Sequence, residues 1–240
     1  MTHVRKHAWV ISLAALLAVL LALTKIIQPG FGASGIESLA RAALPFGFAT
    51  AGMAVVIIAG GIDLSVASMM AVCAVTTAVL MERMAGVPAL IIVLLAGAGM
   101  GAINGTLIIL TKVPDIVVTL AMLFVWEGVA LLILSSPGGA TADWLEGAIR
   151  GSFIFYWLPK AFLIIAIVSA LLWGPLQRTK LGLSIYAIGS DELAAFRSGI
   201  SIGRSKVAAY AICGLFCAFG GLSLAALTGI GEPVPGPYLM

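Results

Sequence analysis

Apolar residues run almost unbroken through seven stretches, roughly 8–27, 40–59, 66–81, 88–110, 114–134, 160–176 and 207–227, and charge, glycine or proline separates each from the next. A hydrocarbon core about 30 Å thick takes roughly 20 helical residues to cross, so each stretch has the length of a membrane span. The runs are continuous rather than alternating, which selects helices over a membrane barrel. The pattern predicts an all-α polytopic transmembrane helical bundle of about seven spans. It forms one transmembrane domain over residues 1–240, with an interrupted helix near Gly60–Ser65. The first run follows Arg5 and Lys6 in the manner of a signal peptide. No small-x-small cleavage pattern comes after it, however, and Thr24 to Pro29 stand there instead, so a retained first span is expected.

Polar residues inside this apolar pattern mark the places where chemistry is expected. Gly60 and Gly61, followed by Asp63 and Ser65, break two runs apart with a flexible pair, a carboxylate and a hydroxyl. Backbone freed at membrane depth must find new partners, and Asp63 and Ser65 are suited to accept from the N–H groups that open the next helix. An interrupted helix beside a pathway also offers polar groups to a hydroxylated solute, so Asp63 and Ser65 are candidate pathway residues. Asn104 and Thr119 join them, the first inside the fourth span and the second one turn beyond Pro114 and Asp115. Gly97, Gly101 and Gly105 stand four apart in the fourth span, a tandem stripe that allows close helix packing in lipid, and Ala43, Gly47 and Ala51 repeat the device in the second. Trp126 with Glu127, and the cluster Phe153, Phe155, Tyr156 and Trp157, suit interfacial or pathway-lining positions.

Composition sharpens the picture. The chain is 62% hydrophobic and 10% charged, with a mean hydropathy of +1.17, against about 25% charged residues in ordinary soluble domains. A formal net charge of +3 without a basic patch gives no case for nucleic acid. Placing the amino terminus in the cytoplasm puts Arg5, Lys6, Lys112, Arg178, Lys180, Arg197, Arg204 and Lys206 inside, the majority of the 13 basic residues, as the positive-inside rule prefers. Cys73, Cys213 and Cys217 all fall in apolar runs and read as small buried residues, and His3 and His7 as a solvated terminal turn. No metal site or cofactor is expected.

Residues 177–206 form the one long inner connection. In it Ser190 is expected to cap a short helix that carries Asp191 and Glu192 in its first turn, Arg197 in its last and Gly199 as its stop. Leu193 and Phe196 share one face of that helix, suited to a groove on a soluble partner or, alternatively, to the lipid surface. No lysine follows a glycine, so the phosphate-binding GxxxxGK[ST] loop is absent and an energy source must lie elsewhere.

Four ordered motifs carry a resemblance. They are GGIDLSVAS at Gly60–Ser68, GAGMGAINGTLI at Gly97–Ile108, PDIVVTLAM at Pro114–Met122 and TKLGLSIYAIGSDELAAFRSGI at Thr179–Ile200. Through them nearly the whole chain resembles the ribose-type, or simple-sugar, family of ABC transporter permeases. The resemblance implies a permease in the bacterial inner membrane, working with a second permease copy in a homo- or heterodimer. Its other partners are a separate ATP-binding cassette ATPase inside and an extracytoplasmic sugar-binding protein outside. It assigns the segment Ser190, Asp191, Leu193, Phe196, Arg197 and Gly199 to ATPase coupling within the loop 177–206. Three departures stand out: Ala67 where glycine is usual, Asp191 where asparagine is common, and an end at Met240 where family members continue through further helices, which suggests a truncated or split permease. The alternatives are a permease for branched-chain amino acids or nucleosides, an ion-coupled secondary carrier, which would call for paired intramembrane acids, and a nonfunctional permease fragment.

Overall fold

The computed structural model describes residues 2–84, 86–152 and 158–234, with side chains from Ala8 onward. The aromatic cluster at 153–157, the side chains of His3, Arg5, Lys6 and His7, and the residues after Val234 lie outside the described set. Among the described residues there are ten helices and no strand. Seven helices are long and apolar enough to cross a membrane: α1 (Thr2–Ile27), α2 (Ala33–Ile58), α3 (Val66–Arg83), α4 (Gly86–Thr111), α5 (Asp115–Ile133), α7 (Lys160–Arg178) and α10 (Ile202–Thr228). The chain is an all-α polytopic bundle.

The spans correspond to the seven apolar runs, and several of their ends move outward. Helix α2 begins at Ala33 rather than 40 and takes in Glu37 and Arg41, which pair at 3.7 Å one turn apart. Helix α10 begins at Ile202 rather than 207 and takes in Arg204 and Lys206. Charge interrupts an apolar run without interrupting a helix, because long charged side chains can extend from an apolar surface into polar surroundings.

Helix α10 is the centre of the bundle, packed on α2, α3 and α4, while α5 lies against α3 and α7 against α2. Its contact with α4 follows directly from the glycine stripe. A Cβ on Gly97 would stand 2.5 Å from the Gly214 carbonyl, and one on Gly105 would stand 2.8 Å from the Val207 Cα. A Cβ on Gly101 would run into the Tyr210 carbonyl. The backbones therefore touch, and dispersion and close packing stand in for the hydrophobic drive that lipid removes. The second stripe does not line α10: Ala43 is exposed and Gly47 faces Ile165 of α7. Instead Gly52 meets Cys213 and Phe216, and Phe48 stacks at 5.6 Å on Phe219. Cys73, Cys213 and Cys217 are buried and unpaired. Helix α1 stays exposed along its described length.

One face of the bundle is covered by α6 (Asp143–Ile149), a short helix absent from the sequence expectations. Gly138 and Gly231 exchange backbone hydrogen bonds there, and the Gly151 N–H donates to Glu37 Oε1 at 2.7 Å.

The opposite face carries α8 (Lys180–Ser190) and α9 (Glu192–Arg197). The stretch 177–206, expected as a loop with one short helix, is therefore mostly helical. Thr179 caps α8 by accepting from the Gly182 N–H at 3.3 Å, so helix starts ten residues before the expected cap. Ser190 is absorbed as the last residue of α8 and caps nothing. Asp191 takes that role: its backbone turns extended and its carboxylate accepts from the Ala194 N–H at 2.9 Å. Gly199, at φ +79°, supplies the left-handed residue that follows α9.

Candidate functional site

Between α2 and α3 the chain leaves helix over residues 59–65. Gly60, at φ +81°, makes the turn. Asp63 then folds back on its own backbone, with Oδ1 accepting from the Ser65 N–H at 2.9 Å and from the Ser65 hydroxyl at 2.6 Å. This is the turn an aspartate forms two residues ahead of a helix. Ser65 occupies the N-cap position of α3 but makes no side-chain cap bond. Its hydroxyl donates to Asp63 and accepts from Asn104 Nδ2 at 2.7 Å. Asn104 Oδ1 accepts in turn from Trp126 Nε1 at 3.1 Å. The line Asp63, Ser65, Asn104, Trp126 thus ties the break to α4 and α5 through side chains alone.

A second set of bonds holds the same break from the other side. The Thr119 hydroxyl donates to the Asp115 carbonyl at 2.9 Å and accepts from the Leu64 N–H at 3.2 Å. The Tyr210 hydroxyl donates to Asp115 Oδ2 at 2.9 Å, which joins α10 to the start of α5. Gly61 is threaded between these two groups, since a Cβ there would lie 2.5 Å from Asp115 Oδ2 and 2.7 Å from the Tyr210 oxygen. Asp115 was legible only as an acid near a helix start, and Tyr210 not at all, because a tyrosine in an apolar span carries no distinguishing pattern. Tyr210→Phe leaves Asp115 Oδ2 without its donor and is expected to cost about 1–2 kcal/mol. The readout is a lower midpoint of unfolding in mild detergent; an unchanged midpoint would mean that this bond does not hold the break.

Beside the break a cavity of about 750 Å³ opens between α2, α3 and α5. Asp63 and Glu127 border it, with Thr50, Met53, Met70 and Phe124 among the other wall residues. The four candidate pathway residues separate here. All are buried, but only Asp63 borders the cavity, and Ser65, Asn104 and Thr119 stand behind it and hold the wall. Asp63 Oδ2 is buried without a hydrogen-bond partner among the described residues. A smaller cavity of about 420 Å³ on the α8–α9 face is bordered by Lys112, Asp115, Glu192 and Lys206. There Lys206 pairs with Glu192 at 3.6 Å and ties α9 to α10. Leu193 and Phe196 on α9 are 58% and 65% exposed, and Arg197 is exposed beside them.

Seven membrane-length helices, with a non-helical connection between α2 and α3 held inside the bundle and a cavity beside it, define a multi-pass membrane protein. The family model described as branched-chain amino acid transport system / permease component matches residues 35–239, and the chain belongs to this family of ABC importer permeases. The Autoinducer 2 import system permease protein LsrD of Escherichia coli strain K12 is 33% identical over 241 residues, covering 93% of this chain and 70% of LsrD. Proteins of the same name from Escherichia coli O157:H7 and Shigella flexneri match to the same extent. No solved structure gives a significant match. Membership of the family implies a separate ATPase and a substrate-binding partner, and gives the chain the role of a transporter subunit.

Proposed function

We propose that this chain is the membrane-spanning subunit of an ATP-driven importer that moves a simple, ribose-like sugar across the bacterial inner membrane, with its amino terminus in the cytoplasm. The observation that carries the mechanism is the seat of Gly189 at the end of α8. A Cβ at this position would overlap the Ile58 carbonyl and come within 3.2 Å of the Gly60 nitrogen. The helix pair α8–α9 therefore rests on the break itself, and exposed α9 is one helix away from the cavity wall. The basic bias places α8 and α9 inside, where Leu193, Phe196 and Arg197 meet the ATPase. Asp191 and Gly199 bound α9 at its two ends, and Ser190 joins it to α8.

In this reading, closure of the ATPase pair pushes α9, α8 shifts the 59–65 break, and the cavity beside Asp63 changes its opening from one side of the membrane to the other. A second permease copy completes the pathway, and an extracytoplasmic sugar-binding protein delivers to the α6 face. The curated relatives support import of a small solute, since their name assigns them autoinducer 2. The docking step is tested by pull-down of the ATPase on the purified permease. Leu193→Asp with Phe196→Asp is expected to reduce recovery at least tenfold while the unfolding midpoint stays within a degree or two, because both side chains face away from the bundle. Undiminished recovery would remove α9 from the interface.

A further inference from the structure

The larger cavity holds two acids and no base. Asp63 and Glu127 are the ionisable residues on its wall, and among the described residues no lysine, arginine or histidine borders it. Asp63 lies level with Thr119, whose hydroxyl receives the neighbouring Leu64 N–H. Glu127 stands eight residues further along α5, about 12 Å toward the α6 face at the helical rise. The rest of the wall is largely apolar, with Met53, Met70 and Phe124 prominent.

We infer that Glu127 and Asp63 make this cavity a charge filter, which admits uncharged hydroxylated solutes and turns away those carrying phosphate or carboxylate. A hydroxyl entering the cavity meets the wall at Asp63, behind which Oδ2 lies buried with no partner among the described residues, and apolar surface for its carbon skeleton. An anion finds no counter-charge on the wall among the described residues and meets the Glu127 carboxylate on the way in. Stripping water from an uncompensated anion in such surroundings is costly. Asp63 is buried and held by Ser65 in a fixed position, whereas Glu127 is partly exposed, so Glu127 is the specificity-determining residue. The same wall disfavours a zwitterionic amino acid, whose carboxylate would go unpaired. The inference rests on the reading of the chain as a permease, but its labelling test does not depend on the ATPase.

Thr50 borders the same cavity from α2, so Thr50→Cys gives a thiol inside it, and Ser136→Cys, exposed in the connection after α5, gives one outside. The unmodified chain serves as the blank, since its three cysteines are buried. Each thiol is reacted with neutral hydroxyethyl, anionic sulfonatoethyl and cationic aminoethyl methanethiosulfonate in nanodiscs. Relative to Ser136→Cys, the thiol at position 50 is expected to favour the neutral over the anionic reagent at least tenfold. Glu127→Gln should bring that ratio down severalfold, and Glu127→Lys should bring it to one or below. Equal rates for neutral and anionic reagents, or a ratio unmoved by both Glu127 changes, would overturn the filter. So would failure of all three reagents to reach position 50. ATPase recovery by the same protein is an independent readout, so loss of the filter and loss of the permease assignment are told apart.

Discussion

Gly101→Ala is expected to destabilise the bundle by about 2–3 kcal/mol, in the upper part of the usual range for overpacking a close contact. The added methyl lands on the Tyr210 carbonyl and close to the Gly214 Cα, which lies 3.1 Å from the Cβ position, and both neighbours are backbone of a helix that cannot retreat independently. The strain reaches the site as well, since Tyr210 is the residue that holds Asp115 beside the break. Gly99→Ala is the matched control on the same helix: nothing lies within 4 Å of its Cβ position, and alanine is the better helix former. Unfolding midpoints in one detergent should fall by several degrees for the first substitution and hold or rise for the second. If the two behave alike, the α4–α10 seam is not close-packed as described.

Asn104→Leu is expected to cost about 2–3 kcal/mol and to abolish transport. The exchange keeps roughly the same volume, so the effect isolates polarity. Trp126 Nε1 loses its acceptor, and the Ser65 hydroxyl loses a donor. Leaving a buried donor unpaired costs about 1–3 kcal/mol; interhelical bonds in membranes average about 0.6 kcal/mol, so the estimate leans on the orphaned indole N–H. Without Asn104, the Asp63–Ser65 turn keeps its own two bonds but loses its tie to α4 and α5. The tryptophan gives a second readout, since loss of its hydrogen bond should shift its emission to shorter wavelength. A variant of unchanged stability and unchanged uptake would show that the polar line behind the cavity is incidental.

The sequence made the spans legible because membrane depth imposes a length, and 20 apolar residues meet it whatever their neighbours are. It did not make their ends legible: Glu37, Arg204 and Lys206 lie outside the apolar runs while the helix continues through them. Helix α6 escaped notice because seven residues carry too little periodicity, and its place is set by packing over the bundle. Helix α8 escaped because Gly182 and Gly189 lower helix propensity. Both glycines are there for close approach, to the Leu176 carbonyl and the Ile58 carbonyl respectively. Asp63 and Asn104 stood out as polar residues in apolar surroundings. Which of them borders a cavity and which stands behind its wall depends on α2 and α5, far away in sequence, and could not be read from spacing. Thr50 is an ordinary helix residue until the fold turns it toward Asp63.

These observations connect an exposed helix, a glycine contact, a broken segment and a cavity into one mechanical line. Helix α9 is joined to α8 at Asp191, α8 rests on Ile58 and Gly60, and the break between α2 and α3 carries Asp63 into the cavity. Lys206 with Glu192, and Tyr210 with Asp115, keep α10 in register with both ends of that line.

The most direct measurement is uptake by liposomes that contain this chain with its ATPase, supplied outside with the loaded sugar-binding protein. The account predicts ATP hydrolysis stimulated by the loaded binding protein together with sugar accumulation, both lost in the Leu193→Asp, Phe196→Asp variant. Accumulation that continues without ATP, or that is unchanged in that variant, would contradict it.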